Sequence, residues 1–188
     1  FETVLPLQPM TAGPTGDGYG WAKEWRQAGA NQEWTAVWRG DKAPSVAFAQ
    51  AAPDGSREVL AAIGMGNPTK IKVPFVVSRQ KGKSALFCSA MQVFDGPDTP
   101  QLQVRVLPIS SFSGSAEEQP VAVEVTGNGV RDVLLVNPGG GVLKTGEFEL
   151  EGQGAALRYR GEALESLVVA GEARVRINGR LTAPTAGK

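Results

Sequence analysis

Four tryptophans, Trp21, Trp25, Trp34 and Trp38, fall within 18 residues of one another. Tyr19 lies just upstream, and Lys23, Glu24, Arg26 and Arg39 stand nearby. Flat indole faces stack on the C–H faces of pyranose rings, and neighbouring cations can bond sugar hydroxyls or a carboxylate. Glu33–Arg39 alternates as a strand, with Trp34, Ala36 and Trp38 on one side and Thr35 and Val37 on the other. Trp34 and Trp38 are then ~13 Å apart by strand rise, the span of roughly two or three sugar units. The same rings also suit a core beneath the N-terminal loop, because aromatics dominate core energetics. Both readings stand at this point.

Few other residues carry chemistry. Histidine is absent, which removes the commonest general base and the commonest metal ligand together. The single cysteine, Cys88, excludes an internal disulfide and a cysteine zinc site. Among Leu86, Phe87 and Met91 it reads as a small buried apolar residue. Tyrosine can act as acid or base, and the chain has two: Tyr19 in a glycine-rich loop, and Tyr159 on a strand facing the same way as Leu157. Asp54, Asp95, Asp98 and Asp132 are scattered in turns without the spacing of a calcium loop. Gly82-Lys83-Ser84 ends like a phosphate loop, yet Val77 stands where the first glycine is needed. Gly16-x-Gly18-x-Gly20 lacks the strand and helix of a dinucleotide site. Arg158, Arg160, Arg174 and Arg176 alternate on strands and read as a solvated sheet face, with contact to an anionic sugar as the alternative. No metal and no cofactor is expected.

The elements that must position these residues are strands. Glycine and proline recur at short intervals, and the segments between them alternate with a period of two, predicting an all-β, antiparallel two-layer sandwich of about a dozen strands. Phe1–Leu7 reads as a strand, 8–20 as a loop, and Trp21–Gln27 as a helical turn because Trp21 and Trp25 are spaced i, i+4. Ser45–Ala51 and Arg57–Met65 flank Pro53-Asp54-Gly55, a hairpin signal. Pro74 places Lys70–Arg79 at an edge or a bulge. Ser84–Phe94 is apolar on both faces, which predicts a central strand. Asn128-Gly129 and Asn178-Gly179, each between alternating residues, are strong hairpin turns. One domain over 1–188 is expected, with loop 110–119 as the candidate internal boundary.

Equal numbers of acidic and basic residues give zero formal charge, so no overall field attracts nucleic acid. No apolar run reaches the ~20 residues of a membrane-spanning helix. Phe1 is not a natural start, so the chain reads as a mature or excised fragment. Scarce cysteine fits a periplasmic or extracellular protein.

Val73–Phe94 reads VPFVVSRQKGKSALFCSAMQVF: a strand, a basic turn and an apolar strand ending in phenylalanine. Val121–Leu181 contains VAVEVTGNGVRDVLLVNPG and then GAALRYRGEALESLVVAGEARVRINGRL, a closing run of hairpins. Both stretches resemble the C-terminal β-sandwich of heparinase II/III-like polysaccharide lyases. The resemblance implies an exported, polysaccharide-degrading parent protein whose catalytic α/α toroid domain precedes the sandwich. It further implies cleavage of uronate-containing glycans by β-elimination, with most catalytic groups on the toroid. No helical repeat is present here, and the histidines that some members place on the sandwich have no counterpart. At Gln92-Val93-Phe94 the family's acidic-aromatic ending is missing.

Three functions follow as expectations. The first is a non-catalytic module that supports a catalytic domain, binds polysaccharide, or both, through Trp21, Trp25, Trp34, Trp38, Tyr19, Arg26 and Arg39. The second is part of a lyase cleft, with Tyr19 and Arg26 or Arg39 taking part. The third is a purely structural sandwich.

Overall fold

A computed structural model of the chain describes residues 1–14, 20–40, 44–52, 57–65, 70–113 and 118–184. The described residues form eighteen strands and no helix. None of them belongs to a helix long and apolar enough to cross a membrane. The chain divides into two compact units, Phe1–Thr99 and Pro100–Lys188. Each is built from two antiparallel sheets.

The first unit contains β1 (Glu2–Thr3), β2 (Gln8–Pro9), β3 (Lys23–Gly29), β4 (Trp34–Trp38), β5 (Ser45–Gln50), β6 (Arg57–Met65), β7 (Lys72–Gln80) and β8 (Ser89–Phe94). One sheet runs β1-β4-β5-β8 and the other β2-β3-β6-β7. Trp34 and Ala36 of the first sheet share a buried cluster with Ala28 and Val59 of the second, so the two layers form a sandwich. Burying each side chain of valine or leucine size stabilises by about 1.5–3 kcal/mol. Polar bonds also cross the layers. Trp34 Nε1 donates to Gln50 Oε1 at 3.1 Å, and that oxygen also accepts the Ser78 hydroxyl at 2.7 Å. Trp38 Nε1 donates to the Pro74 carbonyl at 3.0 Å.

β6 is buried on both faces. Val59 points into the sandwich, whereas Leu60 and Ala62 join a second cluster with Ala22 and Trp25 on the outer face. Met10, Phe75 and Val77 pack against that outer cluster. The N-terminal segment therefore covers the outside of the β2-β3-β6-β7 sheet.

The second unit contains β9 (Gln103–Val106), β10 (Ser111–Phe112), β11 (Val121–Gly127), β12 (Val130–Val136), β13 (Val142–Thr145), β14 (Phe148–Glu151), β15 (Gly154–Arg160), β16 (Ala163–Val169), β17 (Arg174–Ile177) and β18 (Arg180–Thr182). Its sheets run β16-β15-β12-β11-β9 and β10-β13-β14-β17-β18. Val133, Leu135, Leu157 and Leu167 from one sheet meet Leu143, Leu150 and Val175 from the other in one core. Asn128 and Gly129 take φ of 51° and 77°, and Asn178 and Gly179 take 50° and 77°, the left-handed pairs that a tight two-residue hairpin turn requires.

The all-β, layered antiparallel reading holds, and Pro74 does lie in an edge strand, β7. Four local expectations do not hold. Trp21–Gln27 is no helical turn: β3 begins at Lys23 and carries a register shift between Lys23 and Arg26, with Glu24 at φ 56°. Such a bulge inserts a residue and imitates helical spacing. Ser45–Ala51 and Arg57–Met65 do not form a hairpin, because β5 and β6 belong to different sheets; their linking turn, Pro53-Asp54-Gly55, lies outside the described residues. Ser84–Phe94 is not a central strand: only Ser89–Phe94 is extended, and β8 is an edge whose Met91 and Val93 are exposed. Cys88 is half-buried, not enclosed. The strand count exceeds a dozen because short pairings such as β1, β2 and β10, two residues each, carry no periodic signal.

Candidate functional site

The four tryptophans separate into two pairs on different faces of the first unit. Trp34 and Trp38 flank Phe48, at ring-centroid distances of 5.1 Å and 6.3 Å. Trp34 is 1% exposed. Its ring offers no face to a ligand, and its N–H is committed to Gln50. Trp38 is half-buried, packed on Phe1 at 5.2 Å and bonded to Pro74. The two rings that alternation places on one face thus look into the sandwich.

Trp21 and Trp25 lie on the outer cluster and share Phe75. Trp25 meets it edge-on at 5.6 Å and donates its indole N–H to the Ala22 carbonyl at 3.2 Å. Trp25 is buried, and Gly13 closes over it so tightly that a β-carbon there would sit 2.5 Å from Nε1. Trp21 stacks on Phe75 at 5.0 Å with 30° between the planes. Its six-membered ring also lies across Gly64, where any β-carbon would overlap Cζ3. Trp21 nonetheless remains 43% exposed. The indole is held against Phe75 and Gly64 and is exposed over part of its surface.

The local sequence explains this placement. The bulge at Glu24 lets the chain turn Ala22 and Trp25 down onto the sheet while Trp21 rides above it. On β6, Gly64 follows Leu60 and Ala62 on the outer face, so the row steps down to a bare backbone where Trp21 lies. On β7, Val73 pairs with Gly64 and Phe75 with Ala62. Val73 is 42% exposed and Ile71, just before the strand, is 50% exposed. Trp21, Val73 and Ile71 make an apolar surface with one flat ring.

The remaining candidates disperse. Arg26 is exposed on β3, opposite Ala61 and Pro9. Arg39 is occupied: it bonds Thr99 Oγ1 at 2.6 Å and the Pro97 carbonyl at 3.3 Å, pairs with Glu2 at 3.6 Å, and lies 5.9 Å from the Phe94 ring centre. It fastens the segment after β8. Tyr19 lies outside the described residues. Phe75 and Gly64, which hold Trp21, were not singled out from sequence. Their signal was the alternation of Val73, Phe75 and Val77 on β7 and the glycine near the end of β6.

Several acids and bases of the second unit are held in internal pairs. Arg131 bridges Glu124 at 2.7 Å and Glu147 at 3.2 Å and lies over Tyr159, 5.1 Å from the ring centre. Tyr159 is buried in the core, its hydroxyl has no hydrogen-bond partner, and burial pushes its phenol upward, away from action as a base. Arg158 is bidentate to Asp132 at 2.7 Å, Arg160 pairs with Glu165, and Arg176 with Glu149. Among the described residues no group of three or more His, Cys, Asp or Glu side chains is placed to hold a metal ion.

No family model matches the chain, and comparison with curated proteins and with solved structures gives no match.

Proposed function

We propose that this chain is a non-catalytic β-sandwich module of an exported polysaccharide-degrading protein, and that it holds glycan on the Trp21 platform. The observation that carries the reading is the apolar surface of Trp21, Val73 and Ile71, which are 43%, 42% and 50% exposed, with the indole seated on Phe75 and Gly64. A pyranose C–H face has the size and polarity to stack on exposed aromatic surface of this kind. A ring fixed on a sheet loses little freedom when a sugar stacks on it, so the site is preorganised.

The non-catalytic part of the proposal is supported by the internal pairing of Arg131, Arg158 and Arg39, and by the burial of Tyr159. The exported, polysaccharide-degrading context rests on the resemblance of Val73–Phe94 and Val121–Leu181 to the heparinase II/III-like C-terminal sandwich. A catalytic α/α toroid domain is the proposed partner.

Native affinity electrophoresis tests this reading. Polysaccharides cast into the gel should retard the chain, and Trp21→Ala should restore its mobility while its circular dichroism stays that of the parent. Retardation that survives Trp21→Ala would move the site elsewhere. Release of unsaturated uronate products by the isolated chain would contradict the non-catalytic reading.

A further inference from the structure

We infer that Asn128 is a site of spontaneous deamidation and chain isomerisation, and that Glu147 protects Asn178, the same dipeptide in the same kind of turn, from that reaction. The chain has five asparagines, and only these two precede glycine. Asn67 and Asn137 precede proline, which has no N–H to react, and Asn31 precedes glutamine. The reaction requires the next residue's backbone nitrogen to reach the side-chain carbonyl carbon, and glycine, lacking a β-carbon, hinders that approach least.

The steps balance without any redox partner. Hydroxide takes the proton of the Gly129 N–H, and the nitrogen attacks Cγ of Asn128. A new C–N bond closes a succinimide ring, and the bond from Cγ to Nδ2 breaks, with water protonating the departing ammonia and restoring hydroxide. Water then opens the ring at either carbonyl. One opening leaves aspartate, and the other leaves isoaspartate, in which the chain runs through the former side chain and gains a carbon. The net change is a water taken up and an ammonia lost.

Both asparagines are exposed, and both turns share the left-handed backbone. They differ in what holds the amide. Asn178 Nδ2 donates to Glu147 Oε2 at 3.1 Å, and the Asn178 backbone N–H donates to the Glu147 carbonyl at 2.9 Å. Arg131 fixes that carboxylate by donating to its other oxygen at 3.2 Å. Donation to a carboxylate returns electron density to the amide and makes Cγ less electrophilic. The negative charge also opposes proton loss from the Gly179 N–H and the build-up of charge on the attacked carbonyl. At the other turn, Gly127 and Val130 close the hairpin, and the Gly129 carbonyl accepts the Gly161 N–H at 3.2 Å. Among the described residues nothing holds the Asn128 amide or the Gly129 N–H. Having first to break a hydrogen bond to a charged group should slow Asn178 about tenfold relative to Asn128.

The test incubates the intact chain in mildly alkaline buffer and follows both sites by peptide mass mapping, with isoaspartate methyltransferase labelling to identify the isomer. The Asn128 peptide should convert about tenfold faster than the Asn178 peptide, with isoaspartate among its products. Glu147→Ala should bring Asn178 up to the rate of Asn128. Glu147→Gln, which keeps an acceptor and loses the charge, should fall between. In urea, where the fold is gone, the gap in the parent chain should close. Asn178 converting as fast as Asn128 in the folded chain, or a gap that survives urea or both Glu147 variants, would overturn the protection. An Asn128 that stays intact in the folded chain while both sites convert in urea would overturn the site itself.

Discussion

The six-membered ring of Trp21 lies across the α-carbon of Gly64, where no β-carbon fits. The glycine is there for close approach, since its φ is not in the left-handed region. Gly64→Ala should therefore lift the indole off the sheet and weaken glycan retardation several-fold. Stability should fall by only about 1–2 kcal/mol, because the displaced ring can swing into water. Retardation equal to that of the parent chain would show that the flat seat is not needed.

Trp34→Ala should behave in the opposite way. Trp34 is enclosed between the layers, so its loss empties a large volume and leaves Gln50 with Ser78 alone. The urea midpoint of the first unit should drop by the equivalent of about 3–5 kcal/mol. A mild effect on stability combined with lost glycan retardation would return Trp34 to a binding face.

How much of this was legible in the sequence depends on the residue. The Asn128-Gly129 and Asn178-Gly179 reversals were readable because few residues tolerate their backbone angles. Trp34 and Trp38 sharing a face was readable from alternation, but which side of the sheet met the second layer was not. Trp21 and Trp25 misled, because the extra residue at Glu24 shifts the period from two towards that of a helix. Met91 and Val93 misled as well: apolar residues on both faces signal a central strand, whereas β8 is an edge with those side chains exposed. The selection of Trp21 over its neighbours was hidden, since it depends on Gly64 and Phe75 some forty to fifty residues away in sequence.

Tyr159 gives a pH prediction for the second unit. Burial raises its folded-state pKa above the unfolded value of about 10, so the contribution of the neutral phenol is complete below that pH and is lost as pH rises through the folded value. Tyr159→Phe removes an unpartnered hydroxyl and should leave stability at pH 7 unchanged or slightly higher. It should also flatten the alkaline fall in the urea midpoint. A marked loss at pH 7 would reveal a partner for the hydroxyl.

Glu149 acts at the other end of the scale. The hydrogen bond from Lys144, and then that from Arg176, holds its carboxyl below the usual range. Its contribution is present above the unfolded value of about 4.3 and is lost as pH falls through the folded value. Glu149→Gln should shrink the acid-limb decline of the second unit and remove part of its salt sensitivity. An unchanged acid limb would mean that the pair is fully screened.

The most direct measurement is the proton–nitrogen spectrum of the tryptophan indole groups during titration with a soluble oligosaccharide cut from a polysaccharide that retards the chain. One indole signal, assigned to Trp21 by its absence in Trp21→Phe, should shift progressively, while those of Trp25, Trp34 and Trp38 hold their positions. A stationary Trp21 signal with any of the other three moving would contradict the account.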